Sequence, residues 1–74
     1  MVKDTDIQWA LTSPTGNDHR NTYSVHIWDG MNNSSQIVMF YAYKKSDALE
    51  VAREYVIRFM GGYNQIVSAR KELV

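Results

Sequence analysis

The chain contains no cysteine, a single proline, four glycines, two histidines and no excess of charge of either sign. Without cysteine there is no disulfide framework, no thiolate zinc site and no cysteine nucleophile. With so little proline and glycine there is no low-complexity tract. His19 and His26 are too few for an imidazole metal centre, and Asp18 and Asp29 stand at no diagnostic spacing beside them. The sequence therefore predicts no metal and no other cofactor. No apolar run approaches the roughly eighteen residues of a membrane span. The opening Met1-Val2-Lys3-Asp4-Thr5-Asp6 is too polar for a signal peptide, so a cytoplasmic product is expected.

Eight acidic side chains meet eight basic ones, and the balance holds locally. Residues 1–45 set Lys3, Arg20, Lys44 and Lys45 against Asp4, Asp6, Asp18 and Asp29, while Arg53, Arg58, Arg70 and Lys71 offset Asp47, Glu50, Glu54 and Glu72 in the remainder. A nucleic-acid binder normally shows a basic excess and a mimic of DNA an acidic one. Nucleic acid is thus disfavoured as a partner. What is present is 74 residues at 45% apolar content, the size of one small domain spanning residues 1–74. A domain this small leaves much of its surface in water, so oligomerisation or a partner would stabilise it.

Ile7, Trp9 and Leu11 alternate with Gln8, Ala10 and Thr12, which predicts a strand over residues 7–12. Residues 13–21 are rich in turn formers and predict an exposed, mobile loop. From Thr22 to Asp29 the alternation resumes. After the turn Gly30-Met31-Asn32-Asn33-Ser34-Ser35, a nearly continuous apolar run from Gln36 to Tyr43 completes an antiparallel hairpin. Ser46 or Asp47 can cap a helix, with Glu50 at the third position when Asp47 is the cap. Ala48, Leu49, Ala52, Tyr55, Val56, Phe59 and Met60 share one face of that helix; Glu50, Arg53, Glu54 and Arg58 share the other as a solvated surface. Val51 and Ile57 fall off the apolar face. Gly61-Gly62 stops the helix, and the β-branched Ile66-Val67 pair favours a return strand over residues 63–74 against a second helix. The expectation is a two-layer α+β domain: an antiparallel sheet of three to four strands with one amphipathic helix on one face, in the order β-β-β-α-β.

One helix shields one side of a sheet. With Tyr23, Val25, Ile27, Val38, Phe40 and Ala42 facing the helix, alternation sends His26, Trp28, Ile37, Met39, Tyr41 and Tyr43 outward. So apolar and aromatic an outer face has the character of an interaction surface. Three occupants remain open: another segment of the chain, a second copy in a homodimer, or a larger protein or complex. The residues singled out for partner binding are His26, Trp28, Met39, Tyr41 and Tyr43. The same aromatics could stack bases of a single strand, with Lys44, Lys45, Arg70 and Lys71 supplying the cations. No nucleophile motif, phosphate loop or close carboxylate pair points to catalysis, so the protein is read as a non-enzyme.

The string Ala42-Tyr43-Lys44-Lys45-Ser46-Asp47-Ala48-Leu49-Glu50-Val51-Ala52-Arg53-Glu54-Tyr55 carries a hairpin strand through a polar turn into an Ala-Leu-x-x-Ala helix. With its glycine-broken return strand, this layout over residues 22–73 resembles small phage-encoded inhibitors, among them anti-CRISPR proteins and phage inhibitors of host RNA polymerase. The helix opening is also similar to the N-terminal domain of HicB-type antitoxins, without the glycine-cysteine signature those carry. The resemblance implies a stoichiometric inhibitor or regulator that occludes a surface of a larger protein or complex. It transfers no individual residue, and its neutral charge departs from the acidic character of many such inhibitors.

Overall fold

The structure, a computed structural model, describes residues 2–73; Met1, and Val74 at the end of the expected return strand, lie outside them. Its elements run α1 (Asp4–Leu11), β1 (Asn21–Asp29), β2 (Ser34–Ala42), α2 (Lys45–Tyr55), a π-helical turn (Val56–Met60) and β3 (Asn64–Lys71). Three antiparallel strands lie in the order β2-β1-β3. The α+β class holds, with a different element order: the chain opens on a helix, so the sequence of elements is α-β-β-α-β. Among the described residues no helix is long and apolar enough to cross a membrane.

The first correction concerns residues 7–12. Ile7 and Ala10 are buried and Leu11 is partly so, an i, i+3, i+4 pattern that a helix satisfies and a strand does not. Trp9, the centre of the apparent alternation, is half exposed. Asp4 and Asp6 suit the positive end of the helix dipole, and the Asp6 carboxylate accepts the Lys3 backbone N–H at 2.9 Å. Six residues can satisfy both periods at once, and here packing against β2 and α2 decides.

The hairpin forms as expected, with Val25 opposite Val38 and Tyr23 opposite Phe40. Asp29 closes its turn by accepting the N–H of Met31 and the side-chain amide of Asn32. Asn33 takes the left-handed backbone, φ 48°, that asparagine tolerates. The Gly30 N–H donates to the Tyr63 carbonyl at 2.8 Å, and a β-carbon at Gly30 would sit 3.1 Å from that oxygen. The absence of a side chain therefore lets the hairpin turn touch the turn before β3.

Phe40, Val25, Ile27 and Ile7 are fully enclosed, and Ala48 and Ala52 let α2 approach the sheet closely. Each large apolar side chain buried there contributes about 1.5–3 kcal/mol. Tyr55 meets Phe40 edge-on, with centroids 5.6 Å apart. In β3, Ile66 opposes Ile27 and Ser68 opposes His26, leaving Val67 as the extra residue of a bulge. The bulge lets Ile66 and Ala69, three positions apart, both pack on the helix side.

Two further expectations differ at the ends of the second helix. α2 starts at Lys45, and its N-terminal flanking residue Lys44 makes no side-chain cap; Asp47 lies at the third helical position. Phe59, expected on the apolar face, is exposed because the Gly61 N–H reaches back to the Val56 carbonyl at 3.0 Å. That wider turn keeps Val56 and Met60 on the core and rotates Phe59 away from it. Gly61, at φ 91°, ends the helix as the double glycine predicted.

Candidate functional site

α2 and the buried residues of α1 share one side of the sheet, leaving the other side uncovered among the described residues. On that outer side the register places Ser24 between Met39 and Arg70, His26 between Ile37 and Ser68, and Trp28 between Ser35 and Gln65. Ile37 is 63% exposed, Met39 40% and Trp28 36%, while His26 is half-buried. The β2 side of this face is apolar, and the β3 side is polar.

Tyr41 and Tyr43 depart from the expected cluster. Tyr41 is on the outer side, yet its hydroxyl accepts from the Ser13 hydroxyl at 3.2 Å. β2 ends at Ala42, so Tyr43 escapes the strand's alternation. Its ring lies 6.3 Å from that of Trp9, and its hydroxyl donates to Asp18 at 3.4 Å. The five predicted partner-binding residues are thus divided: His26, Trp28 and Met39 on the sheet face, Tyr43 beside α1, and Tyr41 between the two groups.

Arg20 organises that second region. Its guanidinium stacks 3.8 Å from the centroid of Trp9 and donates to the carbonyls of Trp9 at 2.7 Å, Thr12 at 3.1 Å and Tyr41 at 3.4 Å. Asp18 completes the set at 2.8 Å. A cation here satisfies carbonyls at the C-terminal end of α1 and suits its dipole. Partial burial pushes the Asp18 carboxyl up; hydrogen bonds from the Arg20 backbone and side chain, the Arg20 charge and the Tyr43 hydroxyl outweigh this and hold it below the ordinary 3.8. The expected mobile loop, residues 13–21, is therefore pinned at its end.

Neither a family model nor a curated protein nor a solved structure matches this chain. The site must be read from its own chemistry.

An open cleft of about 230 Å³ lies between α1, the end of β2 and the start of α2, walled by Trp9, Tyr41 and Tyr43 with the carboxylates of Asp6, Asp47 and Glu50. Sequence reasoning passed over Trp9 and Arg20, the first as a strand residue and the second as one term in a charge balance. The turn-rich segment before Arg20 held the one available signal, an Asp two residues ahead that can close back on it. The four basic residues proposed for nucleic acid lie at one end of the sheet on its two edges. Lys44 and Lys45 are exposed beyond β2, Arg70 pairs with Glu72 at 3.4 Å, and Lys71 opposes the inward-facing Tyr23 on β1. Arg58, on the helix surface, pairs with Glu54 four residues before it and also with Asp4 of α1, each at 2.9 Å.

Proposed function

We propose that this protein is a small binding module, a stoichiometric inhibitor or regulator of the kind the phage-inhibitor resemblance implies, that docks a larger protein on its uncovered sheet face. The observation carrying the reading is the exposed Trp28, Ile37 and Met39 on a side that neither helix covers. Tryptophan and methionine are enriched where interfaces lose their water, and a sheet presents them on backbone that is already ordered, which lowers the cost of docking. A neutral surface leaves little electrostatic steering, so affinity comes from anchors and shape. The basic residues on two separate edges give base stacking less support than protein contact.

The test compares proteins retained by the immobilised wild-type chain with those retained by the Trp28→Ala, Met39→Ala double variant. Partners present with the first and lost with the second, at an unchanged melting temperature, support docking on this face. Identical retention by both assigns binding elsewhere.

A second copy is the other occupant with support on the page. Ser34, Ser35, Gln36 and Ile37 are exposed at the outer edge of β2, where among the described residues no strand pairs with it. Such an edge can accept another strand.

A further inference from the structure

The geometry points to the Trp9–Tyr41–Tyr43 cleft as a binding site for an alkylated ammonium cation, a class that includes free quaternary amines and methylated lysine side chains. This inference does not rest on the sheet-face reading, and none of its test residues is shared with that reading's variants.

Three observations converge. Trp9, Tyr41 and Tyr43 stand among aliphatic side chains in the cleft walls, and among the described residues the charged lining is anionic: Asp6, Asp47 and Glu50 line it, and no Lys or Arg does. The second observation is that the indole of Trp9 already holds a cation. Arg20 covers the ring at 3.8 Å, does not line the cleft, and has its charge answered by Asp18 at 2.8 Å. Trp9 nevertheless remains 49% exposed and Tyr43 57% exposed, so aromatic surface is still open to a second cation. The third observation selects the kind of cation. Among the described residues no group of three His, Asp or Glu side chains is close enough to hold a metal ion, so the cleft's carboxylates supply a diffuse negative field without a coordination shell. A diffuse field beside aromatic rings suits a large, weakly hydrated ammonium with apolar methyl groups, which loses little hydration on entry. About 230 Å³ is below the volume of a drug-sized pocket and matches a small head group.

The experiment titrates the protein with tetramethylammonium chloride, with a short peptide bearing trimethyllysine, and with the same peptide bearing a neutral tert-butyl isostere. Indole and backbone amide shifts are followed by NMR against a sodium chloride control of equal ionic strength. Saturable shifts at Trp9 and Tyr43 with either cation, and none with the isostere, are expected. Saturation by tetramethylammonium alone identifies a free amine as the source; saturation by the peptide identifies a modified lysine. The exposed pair Asp47→Asn, Glu50→Gln and the single change Tyr43→Ala should each weaken binding by about fivefold or more, because each removes part of the field or a wall. Trp9→Ala is avoided because it also removes the ring under Arg20. Linear shifts matching sodium chloride, equal binding of the neutral isostere, or unchanged affinity in the Asp47→Asn, Glu50→Gln variant would overturn the assignment.

Discussion

Replacing Arg20 by methionine would remove the guanidinium donors to the Thr12 and Trp9 carbonyls, of which Trp9 keeps the Thr12 N–H at 3.2 Å, while keeping much of the side chain's volume. Losing these part-buried hydrogen bonds together with the Asp18 ion pair should lower stability by about 1–3 kcal/mol in urea denaturation. Arg20→Lys should recover less than half of that loss, because an ammonium keeps the charge and forfeits the planar fork that reaches several acceptors at once. Full recovery by lysine would show that charge alone matters. The neighbouring carboxyl predicts a pH response. Asp18 and Asp29 both titrate below the ordinary 3.8 in the folded chain, Asp29 chiefly through the Asn32 side-chain amide. Their stabilisation is complete above that pH and is lost as pH falls through the lowered folded values. Thermal melts from pH 5 to 2 should show this decline, and Asp18→Asn should flatten part of it.

Gly61 illustrates how an element's end depends on backbone freedom. Its φ of 91° is reached easily only without a β-carbon, and open space surrounds it, so Gly61→Ala introduces strain without a clash. The expected cost is about 1–2 kcal/mol, read as a lower midpoint of unfolding; Gly62→Ala, where φ is not positive, should cost less. The longer elements were legible because their patterns repeat: Tyr23, Val25 and Ile27 alternate for a full strand, and Ala48, Ala52 and Val56 recur at four-residue spacing. The outer face was legible for the same reason, since alternation fixes both sides of a strand together. α1 was not legible as a helix because Ile7–Leu11 is short enough to fit either period. The π turn and the Val67 bulge each insert a residue's worth of rotation, which no periodic reading anticipates, and they account for Phe59 and for the inward pair Ile66 and Ala69. The cleft escaped notice because its walls come from three elements, and Tyr43 was assigned by an alternation that stops one residue earlier.

At the scale of the whole molecule the chain is a slab of 40 × 27 × 17 Å, its thin dimension fitting one sheet and one helical layer. So thin a body has few residues with neighbours on every side, and Phe40 is one of them. Phe40→Ala should cost about 3–5 kcal/mol, enough to unfold a domain this small at moderate temperature, as circular dichroism would record. Light scattering across a concentration series should show a monomer if the sheet face awaits a different protein. A dimer that dissociates in the Trp28→Ala, Met39→Ala variant would give that face to a second copy. The central position of β1 has another consequence, for the order in time of assembly. Val25 meets Val38 across a tight hairpin, but it meets Ala69 only after α2 and its π turn have been traversed. The hairpin can close in microseconds, whereas recruiting β3 carries a larger loop-closure entropy and comes later. Until then β1, with Tyr23, Val25 and Ile27, is itself an open edge, and a chain delayed at this stage is primed to pair with its neighbours and aggregate.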